Sequence, residues 1–145
     1  MLRSLSISNY ALIAEATIAF DAGFSVITGE TGAGKSILLG ALGLITGKRA
    51  DSSSAGDATQ KCIVEGVFDI EAYQLRSFFK THDLDYEPDT IVRREILPSG
   101  KSRAFINDTP VNLSQLQTLG NRLIDIHSQH KTMDVVGSAY QFEVL

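Results

Sequence analysis

The sequence predicts an α/β fold in which a mixed β-sheet surrounds one buried helix. Two observations carry this prediction. Short runs of alternating apolar and polar residues recur along the chain, a pattern typical of strands with one buried face. An apolar run at residues 36–46 follows a glycine-rich segment and is too long for a buried strand at that place.

Three strands are expected ahead of this helix. Residues 14–20 alternate between apolar and polar side chains, and Leu5 and Ile7 indicate an earlier strand. Residues 24–28 form a short β-rich run that stops at Gly29. The helix itself is expected to be buried on nearly every side, because apolar residues surround it.

Three glycines predict where the helix at 36–46 has close neighbours and where it ends. Gly40 and Gly43 each weaken a helix by roughly 1 kcal/mol, so we expect a neighbouring element to approach closely there. Gly47 suits the position just past the helix end, and the two basic residues that follow it sit where a helix is partly negative.

The remainder alternates between β-rich and helical runs. Turn residues lie at Pro98–Lys101 and at Asn107–Asp108, whereas Asn112 and Gln115 have capping-box spacing ahead of a helix that Gly120 is expected to end. The expected elements are a loop at 51–60, a strand at 62–70, a helix at 71–82, strands at 90–97 and 103–107, and a strand at 122–127.

Composition narrows the class of protein. The chain has 145 residues, 43% hydrophobic and 21% charged, which excludes collagen-like and wholly disordered chains. Its net charge of -4 predicts no bulk attraction to nucleic acid, although a local patch stays open. One cysteine, Cys62, excludes an internal disulfide, and no run is long enough to span a membrane. We therefore expect a soluble cytoplasmic protein.

Residues 29–36, GETGAGKS, match the spacing G-x-x-x-x-G-K-[ST] of a phosphate-binding loop. Glycines let successive backbone N–H groups turn toward phosphate oxygens, and the following helix adds unpaired N–H groups and a favourable dipole. Lys35 would reach the β- and γ-phosphates, and the Ser36 hydroxyl would bind Mg²⁺. Chance would give this pattern in about one in a few hundred chains of this length, so an incidental glycine turn is the weaker interpretation.

Further segments carry a resemblance to a known family. SNYALI, GETGAGKSI, GKRAD, SRAFIND and DIHSQH together resemble the amino-terminal head segment of the RecN family of bacterial DNA-repair ATPases, which is SMC-like and ABC-type. The resemblance covers nearly the whole chain. It implies a P-loop NTPase fold of ABC/SMC-head type, of which this is the amino-terminal half, with ATP and Mg²⁺ as cofactors.

The resemblance also implies site residues. The nucleotide-binding positions are Gly29, Glu30, Thr31, Gly32, Ala33, Gly34, Lys35, Ser36 and Ile37. Gln129 falls at the family's Q-loop position, where the glutamine is implied to contact Mg²⁺ and the attacking water. Lys35 and Gln129 are thus the implied catalytic residues, and Ser36 and Gln129 the implied metal ligands.

Residues 1–145 lack several sequence patterns of an ABC-type ATPase. We find no apolar strand ending in Asp-Glu, the Walker B pattern, and no signature loop. The resemblance therefore implies that residues 1–145 are the amino-terminal lobe of a head, inactive alone. Its implied partners are the carboxyl-terminal half of the same head, a second head in an ATP sandwich and, through the full-length protein, DNA at the nucleoid.

Two weaker candidates remain open. His127 and His130 have H-x-x-H spacing but lack an acidic or cysteine partner at ligand spacing, so polar loop histidines are the favoured interpretation. Arg93, Arg94, Lys101 and Arg103 cluster on one expected hairpin with only Glu95 to offset them. They indicate either DNA phosphate contacts or, more simply, a sheet edge guarded by charge.

Two other functions stay open beside the RecN-like one. The chain could be a stand-alone nucleotide-binding module that never hydrolyses, or part of another SMC-like or transporter-type ABC ATPase. The full reading frame distinguishes the first two, because a downstream coiled coil followed by a signature loop and an Asp-Glu strand supports the RecN-like function, whereas a natural stop near Leu145 supports the stand-alone module. A transporter-type subunit would lack the GKRAD and DIHSQH segments.

Overall fold

The computed structural model describes residues 1–23, 25–26 and 32–126, which contain an antiparallel sheet, three α-helices and two short 3-10 turns. The sheet has six strands in the order β2-β1-β3-β4-β5-β6. The strands are β1 (Leu2–Tyr10), β2 (Ile13–Ala19), β3 (Cys62–Asp69), β4 (Asp89–Ile96), β5 (Ser102–Ile106) and β6 (Thr109–Val111). The helices are α1 (Gly32–Ile45), α2 (Arg76–Thr81) and α3 (Leu113–Leu123). No described helix is both long and apolar enough to cross a bilayer.

The alternating sequence patterns form strands where they were expected. In β3, alternate residues from Cys62 are buried, and the intervening ones are half-buried. β3 pairs with β1 on one side and β4 on the other, both antiparallel. The strand expected at 24–28 lies largely outside the described residues. Ser25 and Val26 are described, are not in a strand and are exposed.

One face of the sheet is covered by α1. Ala41, Leu44 and Ile45 are buried in the same hydrophobic cluster as the inward side chains of the strands. Gly66 makes room for this packing, because a Cβ there would lie 2.7 Å from Ile45 Cδ1. The helix is less buried than expected. Its burial begins at Ala41, and residues 34–40 are exposed or half-buried.

Three helical expectations need correction. The helix expected at 71–82 is divided into a 3-10 turn (Glu71–Tyr73) and α2, because Gln74 between them has a φ of 53°. Gly120 does not end α3, which continues to Leu123. The strand expected at 122–127 is wrong within the described residues, since α3 occupies its start and 124–126 form no strand.

The turns and caps follow the predicted chemistry. Asn112 and Gln115 form a reciprocal capping box at the start of α3. Asn107 and Asp108 have φ values of 48° and 64°, which a two-residue type I′ hairpin requires. That hairpin leads to β6, a three-residue strand that the sequence patterns did not reveal because Pro110 interrupts it.

Candidate functional site: the phosphate-loop helix

The amino-terminal end of α1 lies inside the glycine-rich motif. The helix begins at Gly32, and Gly34, Lys35 and Ser36 are exposed. The first four N–H groups of a helix have no partner within it, and its dipole makes this end partly positive. No acidic residue occupies the first turn. The described part of the motif therefore places the positive end of α1, with Gly34 and Lys35 exposed, at a site that favours an anion.

Two side-chain features at this end are compatible with a phosphate. Lys35 forms no ion pair with any described carboxylate, so its ammonium group is available. A Cβ placed on Gly34 would meet no atom within 4 Å, so space is open beside this backbone. Ile37, in the second turn of α1, is half-buried and packs against the hydrophobic core. Gly29, Glu30 and Thr31 lie outside the described residues, as does the surrounding of the Ala33 side chain.

The carboxyl-terminal end of α1 closes with the glycine predicted there. Gly47 has a φ of 96°, and its N–H donates to Leu44 O at 3.2 Å. The Lys48 N–H donates to Gly43 O at 2.9 Å. This pair of bonds is the Schellman arrangement, which satisfies carbonyl groups that the helix leaves unpaired.

A buried arginine completes this end. Arg94 is 1% exposed, and its Nη1 donates to Leu44 O and Lys48 O, both at 2.9 Å. Its Nη2 donates to Ser102 Oγ at 3.1 Å. Burial lowers the pKa of Arg94, but a guanidinium stays protonated in a protein. A fixed positive charge thus meets the partly negative end of the phosphate-loop helix.

Two glycines bring α1 and α3 into contact. A Cβ on Gly120 would lie 2.6 Å from Thr46 Cα, so only glycine fits at this crossing. Next to it, Gln117 Nε2 donates to Gly47 O at 2.9 Å. Gly120 therefore serves a helix contact and not a helix end. The close approach expected at Gly40 is also found, where its missing side chain leaves room for the Tyr10 hydroxyl.

An asparagine at the end of β1 holds the loop that follows α1. Asn9 has a φ of 53° and is 8% exposed. Its Oδ1 accepts from Asp57 N at 2.7 Å, and its Nδ2 donates to Asp57 O at 2.9 Å and to Gln60 O at 3.1 Å. The loop expected at 51–60 is thus pinned to the β1–β2 turn. Sequence reasoning did not assign this role to Asn9.

The basic cluster expected on the β4–β5 hairpin does not form as one group. Arg94 is in the core, whereas Arg93 lies on the opposite face, with its guanidinium 4.4 Å from the centre of the Phe105 ring. Arg93 also pairs with Asp108 at 2.9 Å and Glu95 at 3.4 Å. A third acid, Glu65, lies 3.7 Å away.

The edge interpretation of that cluster was also wrong. β4 lies between β3 and β5, and β5 lies between β4 and β6, so neither strand is an edge. Lys101 and Arg103 remain exposed. A signal for the role of Arg94 was present in the sequence, because its alternation with Val92 and Ile96 places it on the apolar face of β4.

The remaining predicted site residue cannot be placed against this geometry. Gln129 lies outside the described residues, together with His127 and His130.

Cys62 is 1% exposed on β3, and burial raises the pKa of its thiol to about 11. It is therefore a small buried core residue and not a reactive thiol.

Comparison with known proteins gives the family. Residues 4–143 match the family model of the AAA domain. The DNA repair protein RecN of Vibrio cholerae serotype O1 is 41% identical over 146 residues, covering 100% of this chain and 26% of that protein. RecN of Bacillus subtilis strain 168 is 40% identical over 132 residues, covering 90% of this chain and 23% of that protein. The chain spans about a quarter of the length of the curated relatives it matches.

A solved structure supports the fold. It comes from work on the structural biochemistry of ATP-driven dimerization and DNA stimulated activation of SMC ATPases. It has a TM-score of 0.70 at 18% identity, and the match covers 99% of this chain and 96% of that one. The fold is therefore the P-loop NTPase fold of ABC/SMC type, and the resemblance to RecN is confirmed. The chain belongs to the AAA domain family and is RecN-like over its whole length.

Proposed function

We propose that residues 1–145 are the ATP-binding amino-terminal lobe of a RecN-like ABC-type head, acting in recombinational repair of DNA double-strand breaks at the bacterial nucleoid in the cytoplasm. The observation that carries this proposal is the phosphate-loop helix, whose amino-terminal end is exposed while its other end is fixed by Arg94. RecN-like sequence over the whole chain gives that helix its context.

The nucleotide would be held by the motif that opens α1. Backbone N–H groups of the loop and first turn would bind phosphate oxygens, and Lys35 would pair with the β- and γ-phosphates. The exposed helix end and the lysine without a described carboxylate partner fit an anionic ligand. The proposed contacts are Gly29, Glu30, Thr31, Gly32, Ala33, Gly34, Lys35, Ser36 and Ile37.

Ser36 and Gln129 would hold Mg²⁺, with Gln129 also orienting the attacking water. The hydroxyl of Ser36, an exposed residue near the amino-terminal end of α1, fits an oxygen ligand for this ion. Bound Mg²⁺ supplies charge neutralisation between the phosphates. Lys35 and Gln129 are the residues that we propose to act in catalysis.

Hydrolysis would need groups that these residues do not supply. Phosphoryl transfer depends on positioning and electrostatics, including a group that orients water. We propose that the carboxyl-terminal half of the head and a second head provide the Walker B carboxylates and the signature loop, and that the full-length protein contacts DNA. The chain alone would then bind ATP weakly without turning it over.

Survival of the source bacterium after induced double-strand breaks tests the proposed function. The chromosomal gene would carry Lys35→Ala or, as a control that also removes an exposed lysine, Lys80→Ala in α2. We expect Lys35→Ala to sensitise cells to ionising radiation and Lys80→Ala to leave survival unchanged. Equal survival of both strains, at equal protein levels, contradicts a nucleotide-dependent role in repair.

A further inference from the structure

An open depression lies beyond the carboxyl-terminal end of α1. Its volume is about 720 Å³. One wall is the segment that follows the helix, and the other is the turn between β4 and β5. The lining residues are Arg49, Ala50, Asp51, Ser99, Gly100 and Lys101. This depression lies at the opposite end of α1 from the phosphate loop.

Arg94 joins the two walls from below. Its Nη1 donates to Lys48 O, next to Arg49, and its Nη2 donates to Ser102 Oγ, next to Lys101. Both walls are therefore fixed to one buried side chain. The spacing between Arg49 and Lys101 is set by the core and not by the turn alone.

The local charge is positive in a chain whose net charge is -4. Arg49 and Lys101 are exposed, and neither forms an ion pair with a described residue. The end of α1 would by itself be partly negative, but the guanidinium of Arg94 binds its carbonyl groups. The positive charge of Arg94 offsets the partial negative charge at this helix end.

One acid opposes these cations. Asp51 accepts a hydrogen bond from Ser53 N at 3.0 Å, and this bonding lowers the pKa of its carboxyl group. Asp51 is therefore charged at neutral pH and offsets part of the positive charge of Arg49 and Lys101.

We propose that this depression docks the phosphodiester backbone of duplex DNA through Arg49 and Lys101. The proposal rests on the proposed function, since it names where the DNA of that function contacts the head. A DNA strand offers a series of phosphates to the two cations that line the depression, and an open surface suits a rod-shaped ligand. No base-reading element is implied, so binding would be independent of sequence.

Fluorescence anisotropy of the full chain with a labelled duplex of about 30 base pairs tests the proposal. Arg49→Glu/Lys101→Glu is compared with Lys80→Glu/Arg122→Glu, which has the same net charge and changes exposed residues elsewhere. We expect the first pair of substitutions to weaken binding at least tenfold at low salt. The slope of log K against log salt should become less negative by about 2, because each cation accounts for one phosphate contact. The control pair should keep the slope.

Three further measurements sharpen the result. Arg49→Lys/Lys101→Arg should retain binding, and Asp51→Asn, which keeps the oxygen that accepts from Ser53 N, should strengthen it. The Arg49→Glu/Lys101→Glu chain should bind Mg-ATP like the parent, which separates this surface from the phosphate loop. Circular dichroism checks that each variant is folded.

Two outcomes overturn the proposal. Equal losses in both charge-reversed pairs mean that net charge alone drives binding. Duplex affinity and salt slope that are unchanged in the Arg49→Glu/Lys101→Glu chain mean that DNA does not contact this depression.

Discussion

The Nη1 atom of Arg94 donates a 2.9 Å hydrogen bond to the carbonyl oxygen of Leu44, in the last turn of the phosphate-loop helix. A cation on the central strand β4 thus holds the negative end of the helix whose positive end is exposed. Arg94 thereby fixes the carboxyl-terminal end of α1 against the sheet.

Arg94→Ala should destabilise the chain by about 3 kcal/mol, because it removes the hydrogen bonds to Leu44 O, Lys48 O and Ser102 Oγ and opens a cavity in the core. Urea unfolding followed by circular dichroism measures this loss. Arg122→Ala, on the exposed side of α3, should stay within about 0.5 kcal/mol of the parent. Similar midpoints for the two variants would show that Arg94 does not anchor the helix.

The two helical glycines Gly120 and Gly43 should respond oppositely to alanine. Gly120→Ala places its Cβ against the backbone of Thr46, so we expect a loss of about 1–3 kcal/mol. Gly43→Ala meets Lys48 Cδ at 2.8 Å, and this exposed side chain can move away. Its stability should be unchanged or higher by up to about 1 kcal/mol, from better helix propensity.

Thermal unfolding of both variants gives the comparison directly. A Gly120→Ala chain as stable as Gly43→Ala would mean that α1 and α3 can separate without cost.

Asn9→Gly should loosen the loop at 51–60 while leaving the sheet intact. Glycine adopts the φ of 53° freely, so only the side-chain bonds to Asp57 and Gln60 are lost. Hydrogen exchange should quicken at Asp57 N, whose donor bond to Asn9 disappears. Asn9→Asp keeps that acceptor and should protect this amide better than Asn9→Gly does. Identical exchange in the two variants argues against a pinning role.

The free energy of unfolding should fall between pH 9 and 11 through Cys62. Burial raises the pKa of this thiol from 9.0 to about 11, so the unfolded chain loses its proton first as the pH rises. The folded chain holds more protons across that window, so the free energy of unfolding decreases as the pH rises. Below pH 9 the thiol is protonated in both states, and its contribution to stability is fully present.

Urea titrations of the parent and of Cys62→Val at several pH values isolate this contribution. The valine variant should lose less stability across the window. Parallel losses in the two chains would mean that other groups, and not the thiol, set the alkaline limit.

Much of the fold could be predicted from local patterns. The alternation in β3 and the capping box of α3 are local signals, and both hold in the structure. The end of α3 could not be predicted from the sequence, because Gly120 allows a close contact with Thr46, which is distant in sequence, and does not end the helix. The 71–82 helix is broken by the backbone conformation of Gln74, which apolar spacing does not reveal.

The site divides in the same way. The phosphate-loop motif is a local sequence signal, so its helix was predicted correctly. Arg94 was grouped with Arg93 because they are adjacent in sequence, although strand geometry sends adjacent side chains to opposite faces. The clamp of Asn9 on Asp57 joins segments 48 residues apart, so only the fold could show it.

Titration calorimetry of the chain with Mg-ATP tests the central claim most directly. We expect weak but saturable binding to the parent and to Lys80→Ala. Lys35→Ala should weaken it roughly tenfold or more, since a charge-assisted bond contributes about 1.5–3 kcal/mol. Absence of saturable heat with a folded chain, or an unchanged affinity in Lys35→Ala, would contradict nucleotide binding at the start of α1.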